Sequence, residues 1–178
     1  LSLHDALPIL EMALQFSRLS AKSTDFVIGE VSLDKVVREA IHKYARLFVR
    51  KKIKLELTSI DTQILTDEKW LEFVIEQILS NAIKYTAGGT ISVYLKEEPE
   101  QETKELVIED TGIGIAPEDL PRIFEKGYTG YNGHADKRST GIGLYLCRKI
   151  MRKLSHEITI ESEIGVGTKV HLEMRSRD

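Results

Sequence analysis

Three polar side chains with ligand-binding chemistry lie on one side of a predicted helix. Gln77, Asn81 and Lys84 are spaced four and three residues apart, which aligns them in a stripe on a helix that is otherwise apolar. The amide oxygen of Asn81 is a hard, neutral ligand that suits Mg²⁺, and the ammonium group of Lys84 can neutralise phosphate oxygens. Taken alone, the stripe also fits an ordinary amphipathic helix with a hydrated side.

A carboxylate followed by two glycines comes at the end of a predicted strand. Asp110 precedes Gly112 and Gly114 in the run Asp-Thr-Gly-Ile-Gly. Its carboxylate can accept a hydrogen bond from the exocyclic amine of adenine, and the glycines let a planar base approach without a clashing Cβ atom. Tyr85, beside the polar stripe, is close enough to lie against such a base. By itself, Asp-Thr-Gly also forms ordinary turns, and it resembles the aspartic-protease triplet, of which the sequence has no second copy.

A second pair of glycines marks the entry into a later helix, predicted over about residues 141–154. The first turn of a helix has unpaired N–H groups and the positive end of the helix dipole, so it can bind an anion. The candidate anion site consists of Thr140, Gly141, Ile142, Gly143 and Leu144. It lacks the Gly-Lys-Ser/Thr ending of a P-loop, and no strand precedes it as a dinucleotide fingerprint requires.

Between the two glycine pairs, residues 115–140 show no helix or strand period. A loop of this length inside a compact domain is usually either disordered or a functional lid. Its basic residues could close on the terminal phosphates of a nucleotide; they are Arg122, Lys126, Lys137 and Arg138. Surface solubility is an equally good explanation for Lys137 and Arg138.

The elements around these motifs predict an α/β (α+β) two-layer sandwich, in which helices cover one face of a mixed, mostly antiparallel sheet. Apolar residues at helical spacing predict helices at 9–20, 32–48, 67–84 and 141–154. Alternation predicts strands at 26–31, 53–57, 63–66, 91–95, 106–109, 158–161 and 169–174. Ser32 and Asp67 are the predicted N-caps of the second and third helices.

The composition is that of a globular protein in water. The 178 residues are 42% hydrophobic and 30% charged, and the net charge of −3 argues against a nucleic-acid partner. The sequence contains no apolar run long enough to cross a bilayer. The single cysteine, Cys147, excludes an internal disulfide and is predicted to be buried. Because the sequence begins at Leu1 without methionine or a signal-peptide pattern, we expect it to be a fragment of a longer protein.

Together, the motifs resemble those of a known family. Residues 80–85, 109–115, 122–126 and 139–146 are similar to the N, first-glycine, F and second-glycine boxes of bacterial sensor histidine kinases. Residues 165–168 are similar to the turn before their last strand. The resemblance spans residues 26–175 and implies the Bergerat-type fold shared with gyrase, Hsp90 and MutL. The segment that begins at Phe124 also resembles the lid of short membrane kinases that respond to cell-envelope antibiotics.

The resemblance implies ATP and Mg²⁺ as ligands and assigns roles to the motif residues. Asn81 would ligate Mg²⁺ and Asp110 would read adenine. Lys84 and Tyr85 would line the nucleotide, and Arg122 and Lys126 would engage phosphate. The remaining implied nucleotide-binding residues are Gln77, Gly112, Gly114, Ile115, Thr140, Gly141, Ile142, Gly143, Leu144 and Thr168.

One position separates kinases from hydrolases in this group. In the relatives that hydrolyse ATP, a glutamate four residues before the metal-binding asparagine activates water. Here that position is Gln77, which cannot act as a base, and Glu76 is rotated away from it on the helix. We therefore expect a kinase, while a conformationally coupled ATPase, an anti-sigma-type serine kinase and a binding-only module remain alternatives.

The phosphoacceptor histidine is expected outside this chain. His42, His134, His156 and His171 lack an acceptor context, and His4 lies in an acceptor-like box whose proline comes one residue early. Residues 1–20 would be the end of a dimerisation helix, with 1–8 as a possible truncation scar, residues 21–25 a linker, and 26–178 the catalytic domain. The implied partners are a response-regulator receiver domain and a second copy through the missing dimerisation helices. The implied setting is the cytoplasmic side of a membrane-anchored sensor.

Overall fold

The computed structural model of the chain describes residues 3–20, 26–96, 102–128 and 142–175. Its helices are α1 (Leu3–Ser20), α2 (Leu33–Lys43), α3 (Ala45–Arg50), α4 (Glu68–Lys84) and α5 (Gly143–Lys153). Its strands are β1 (Ile28–Ser32), β2 (Lys54–Leu57), β3 (Gln63–Asp67), β4 (Thr90–Lys96), β5 (Thr103–Asp110), β6 (Glu157–Glu163) and β7 (Gly167–Arg175). The predicted linker at 21–25 and residues 129–140 of the predicted lid lie outside the described residues.

Five strands form one mixed sheet in the order β2-β4-β5-β7-β6. β2 runs parallel to β4, with Leu55 beside Ile91, and the other neighbours are antiparallel. This confirms the predicted mixed, mostly antiparallel sheet. β1 and β3 pair with each other in a separate two-stranded antiparallel sheet, which the local sequence pattern does not distinguish from the main one.

Alternation along the strands divides the main sheet into two different faces. One face is buried against α4 and α5, and its side chains include Ile91, Val93, Leu106, Ile108, Val170 and Leu172. The opposite face has ion pairs such as Lys169 with Glu109, at 3.4 Å. Cys147 on α5 is fully buried, as predicted, and burial raises the pKa of its thiol. The helices therefore cover one face of the sheet, which completes the predicted sandwich.

The predicted helix caps at Ser32 and Asp67 are confirmed. Ser32 Oγ accepts a hydrogen bond from the Lys35 N–H at 3.3 Å, and Asp67 Oδ1 accepts one from the Trp70 N–H at 3.1 Å. Asp67 Oδ2 also accepts from the Val27 N–H at 2.7 Å. One buried carboxylate therefore begins α4, the helix with the polar stripe, and fixes the chain just before β1.

Two helices differ from the sequence pattern at their ends. The predicted single helix at 32–48 is divided at Tyr44, whose backbone leaves the helical region at φ −106° and ψ 9°. The apolar spacing predicts the first helix over 9–20, but α1 begins at Leu3 and continues through Pro8. α1 packs against α5, where Lys153 Nζ donates to the Leu19 carbonyl at 3.1 Å. Across the described ranges, no helix combines the length and the apolarity that crossing a bilayer requires.

Candidate functional site

The polar stripe on α4 lies beside a tightly packed core. Gln77, Asn81 and Lys84 are each partly exposed, whereas the apolar residues between them, such as Ile78 and Leu79, are buried. The ammonium group of Lys84 lies 5.2 Å from the centre of the Tyr85 ring, within the range of a cation–π contact. An amide, a cation and an aromatic ring are therefore partly exposed on this side of α4, and the ligand contacts predicted for them stay predictions.

Asp110 is the last residue of β5, and its side chain is almost enclosed. The residue is 9% exposed, and Oδ1 accepts a hydrogen bond from the Gly112 N–H at 2.9 Å. Burial raises the pKa of this carboxyl, while hydrogen bonds from the backbones of Gly112 and Thr168 act in the opposite direction. A buried carboxylate held in this way can accept a hydrogen bond from a ligand without first reorganising.

Two glycines after Asp110 are needed for close packing of the loop. A Cβ atom on Gly112 would lie 2.4 Å from the Tyr85 carbonyl oxygen, and one on Gly114 would lie 2.2 Å from the Glu163 carbonyl oxygen. Gly114 also has a φ of +75°, which L side chains rarely adopt. The glycines therefore let the loop contact the end of α4 and the β6–β7 turn. The fold itself needs them, in addition to the space for a planar base that the sequence predicts.

Ser162 connects two predicted site residues that are far apart in the sequence. Its Oγ accepts a hydrogen bond from the Ile115 N–H at 2.8 Å and lies 2.8 Å from Thr168 Oγ1. Asp110 is the register partner of Thr168 in the β5–β7 pair, so the same contact links the loop to the start of β7. Sequence reasoning missed Ser162, because an isolated serine in an alternating strand gives no local signal of a long-range contact.

The start of α5 faces the polar stripe of α4. A Cβ atom added to Gly143 would lie 3.4 Å from Gln77 Oε1 and 3.6 Å from the terminal methyl carbon of Met12 on α1. Ile142 occupies the N-cap position of α5, and its side chain supplies no cap hydrogen bond. The structure therefore brings Gly143 beside Gln77, with Ile142 and Leu144 as its neighbours in the chain. The two other predicted residues of this motif, Thr140 and Gly141, lie outside the described residues.

Arg122 contacts neighbours within its own segment. Its guanidinium forms an exposed ion pair with Glu125 at 3.2 Å and stacks 4.4 Å from the centre of the Tyr128 ring. Phe124 packs against the core, and Arg148 of α5 lies 4.9 Å from its ring centre. Lys126 is exposed. The phosphate contacts predicted for Arg122 and Lys126 stay predictions, and Lys137, Arg138 and His134 lie outside the described residues.

The described residues of this site fit a magnesium ion that is bound together with a nucleotide. In the described part of the chain no three histidine, cysteine, aspartate or glutamate side chains come together to hold a metal. The stripe does offer the partly exposed amide of Asn81, and Mg²⁺ commonly takes one protein ligand plus phosphate oxygens and water. The donor set therefore matches a Mg²⁺ ion that arrives with its phosphates.

The fold is an α/β sandwich with a nearly enclosed carboxylate at Asp110, and the start of α5 faces the polar stripe of α4. Together these features are typical of a nucleotide-binding ATPase domain. The chain belongs to the family of histidine kinase-, DNA gyrase B- and HSP90-like ATPases, whose model matches residues 66–178. This confirms the family that the four motifs indicate.

Curated relatives in this family are sensor kinases. The chain is 40% identical over 162 residues to the sensor histidine kinase YxdK of Bacillus subtilis, covering 90% of this chain and 50% of that protein. It is 36% identical to the sensor protein BceS of Bacillus subtilis, covering 90% of this chain and 47% of that protein. The chain thus spans about half the length of the curated relatives it matches.

Solved structures confirm the fold. Full-length ShkA, crystallised in complex with AMPPNP, superposes with a TM-score of 0.81 at 22% identity, over 97% of this chain and 37% of that one. At this identity the likeness concerns the fold alone.

Proposed function

We propose that this chain is the ATP-binding catalytic domain of a sensor histidine kinase. It transfers the γ-phosphoryl group of Mg·ATP to a histidine outside the chain, from which the group passes to a response-regulator aspartate. The observation that carries this proposal is the arrangement of Gln77 and Glu76. Gln77 faces Gly143, while Glu76 Oε2 is paired with Lys43 Nζ of α2 at 2.9 Å. The amide, which cannot take a proton from water, is the group beside the expected phosphate position.

The residues of the site act by positioning and by neutralising charge. Asp110 accepts a hydrogen bond from the adenine amine, and Tyr85 lies against the base. Asn81 would hold the Mg²⁺ ion that accompanies ATP through its amide oxygen. When bound, this ion supplies neutralisation of the phosphate charge. Lys84 and the N-terminal turn of α5 stabilise phosphate oxygens, and Arg122 and Lys126 engage the terminal phosphate.

The three histidines whose side chains the structure describes support an acceptor located elsewhere. His42 is exposed on α2, and His156 is buried beside Thr66. His171 lies between the carboxylates of Glu105 and Glu161 on the sheet face opposite the helices. Each of these positions has a structural explanation, so we place the acceptor in an upstream segment.

We also propose that residues 1–20 are the end of a dimerisation helix, joined by a linker at 21–25 to the catalytic domain at 26–178. Leu7, Leu10 and Leu14 are each more than half exposed on α1, at 54%, 57% and 51%, and share one side of the helix. Such a stripe fits a partner helix from a second copy. The whole protein would be a membrane-anchored sensor with this domain on the cytoplasmic side.

The test is phosphorylation with γ-labelled ATP. The chain alone should bind Mg·ATP without labelling itself, and dimerisation helices supplied as a separate polypeptide should acquire acid-labile phosphate. Asn81→Ala should abolish this labelling, and Ser80→Ala, one position away on α4, should retain it. Acid-stable label on a serine would replace the proposal with a serine kinase. Rapid phosphate release without labelled protein would replace it with an ATPase.

A further inference from the structure

One buried hydroxyl beside the adenine-reading carboxylate has no described partner. Thr86 follows Tyr85 directly, is 1% exposed, and among the described residues its Oγ1 makes no hydrogen bond. Buried hydroxyls in folded proteins are nearly always paired, since an unpaired one loses its bonds to water without replacement. A threonine is also a costlier choice than valine at such a position unless the hydroxyl is used.

The carboxylate of Asp110 is an acceptor near this hydroxyl. A Cβ atom on Gly112 would lie 2.8 Å from Thr86 Oγ1 and 2.9 Å from Asp110 Oδ1, so both oxygens border the same small space. Asp110 Oδ1 already accepts the Gly112 N–H at 2.9 Å. A carboxylate oxygen has capacity for a second donor, and a change in one side-chain torsion can direct the Thr86 O–H toward it.

We propose that Thr86 is a positioning residue for adenine recognition: its hydroxyl donates to Asp110 in the nucleotide-bound state and fixes the orientation of that carboxylate. Oδ1 is then held by Gly112 and Thr86, the backbone of Thr168 also donates to the carboxylate, and Oδ2 keeps acceptor capacity for the base amine. This rests on the proposed function, in which Asp110 reads adenine. The lack of a Cβ on Gly112 is then part of the same device, because a side chain there would separate the two oxygens.

The hydroxyl also affects the charge of the carboxyl. Burial raises the pKa of Asp110, and each donor to the ionised form opposes that effect. Removal of the Thr86 hydroxyl should therefore raise the pKa of Asp110 further and make ATP binding fail at a higher pH than in the unmodified chain.

The experiment compares Thr86→Val with Thr86→Ser by calorimetric titration of Mg·ATP over a series of pH values. Val keeps the shape without the donor, and Ser keeps the donor. We expect Val to weaken ATP binding about tenfold and to shift the acid limb of binding upward, and Ser to stay within about twofold. Thermal unfolding of both variants checks that they fold, and Thr86→Ala supplies a second hydroxyl deletion if Val does not.

A second nucleotide separates positioning from general damage. Purine riboside triphosphate lacks the six-amino group, so its binding should be the same in Thr86→Val as in the unmodified chain. Equal weakening of both nucleotides, or a Val variant that binds ATP normally at every pH, overturns the inference. Asp110→Asn separates a failure of the proposed adenine site from a failure of the role of Thr86. If Asp110→Asn leaves ATP binding intact, the proposed adenine site is wrong. If Asp110→Asn loses ATP binding and Thr86→Val does not, only the role of Thr86 is refuted.

Discussion

The carboxylate of Glu76 is paired with the ammonium group of Lys43, with 2.9 Å between Oε2 and Nζ. This contact directs Glu76 from α4 toward α2, while the next residue, Gln77, faces the start of α5. Adjacent residues on a helix are about 100° apart, so the carboxylate and the amide cannot exchange places without unwinding the turn. Under the proposed function, this arrangement would keep a potential base away from the phosphates and so favour retention of ATP over its hydrolysis.

Gln77→Glu should therefore increase ATP hydrolysis. A correctly placed general base contributes about 10²–10⁴-fold to a rate, and we expect at least about tenfold here because the surrounding site is not built for water activation. Phosphate release at saturating Mg·ATP measures the effect. Glu76→Gln is the matched control and should leave the rate unchanged. Loss of residual hydrolysis in Glu76→Gln would show that the paired glutamate is the base.

His156 should make the stability of the domain depend on pH. Its ring is buried with Nε2 3.0 Å from Thr66 Oγ1, and burial, with the charge of Arg175, lowers its pKa from 6.5 to about 4. The folded pKa is below the unfolded one, so protonation favours the unfolded chain. The contribution of the neutral His156 ring to the free energy of unfolding is complete above pH 6.5, and it is lost as the pH falls from there to about 4. At about 1.4 kcal/mol per pKa unit, the loss is on the order of 3 kcal/mol.

Urea unfolding at intervals between the two pKa values measures this effect. His156→Gln should be less stable at neutral pH but should lose less stability on acidification than the unmodified chain. His42→Gln changes an exposed histidine and should follow the unmodified chain throughout. Parallel pH profiles for His156→Gln and the unmodified chain would show that other groups cause the acid sensitivity.

Asp67→Ala should destabilise the domain by about 2 kcal/mol or more, because it removes a helix cap and leaves the Val27 N–H without its partner. Both contacts come from one carboxylate that is 5% exposed. Ser32→Ala removes only one cap, of α2, and should cost about 1 kcal/mol. Chemical unfolding ranks the two variants. Equal losses of stability in the two variants would mean that the hydrogen bond from the Val27 N–H to Asp67 contributes nothing.

The features that sequence predicted correctly are mostly local. The caps at Ser32 and Asp67 and the stripe of Gln77, Asn81 and Lys84 depend on spacings within one helix, and periodicity reports these directly. The contacts of Gly114 with Glu163 and of Ile115 with Ser162 join residues that are distant in the chain. They depend on the pairing of β5, β6 and β7, which no local pattern encodes. For the same reason the separate pairing of β1 with β3 was not predicted.

Asn81 should determine how strongly ATP binding depends on Mg²⁺. Under the proposed function, Mg²⁺ arrives with the nucleotide, and Asn81 adds a neutral protein ligand; among the described residues no three histidine, cysteine, aspartate or glutamate side chains come together to hold a metal. Titrating ATP with Mg²⁺ and with excess chelator should give at least about tenfold tighter binding with the metal. In Asn81→Ala the two affinities should become nearly equal, because the phosphates keep their Mg²⁺ but lose its link to α4. Ser80→Ala, on the same turn, should keep the full dependence. A metal dependence that survives in Asn81→Ala would place the metal ligand elsewhere in the chain.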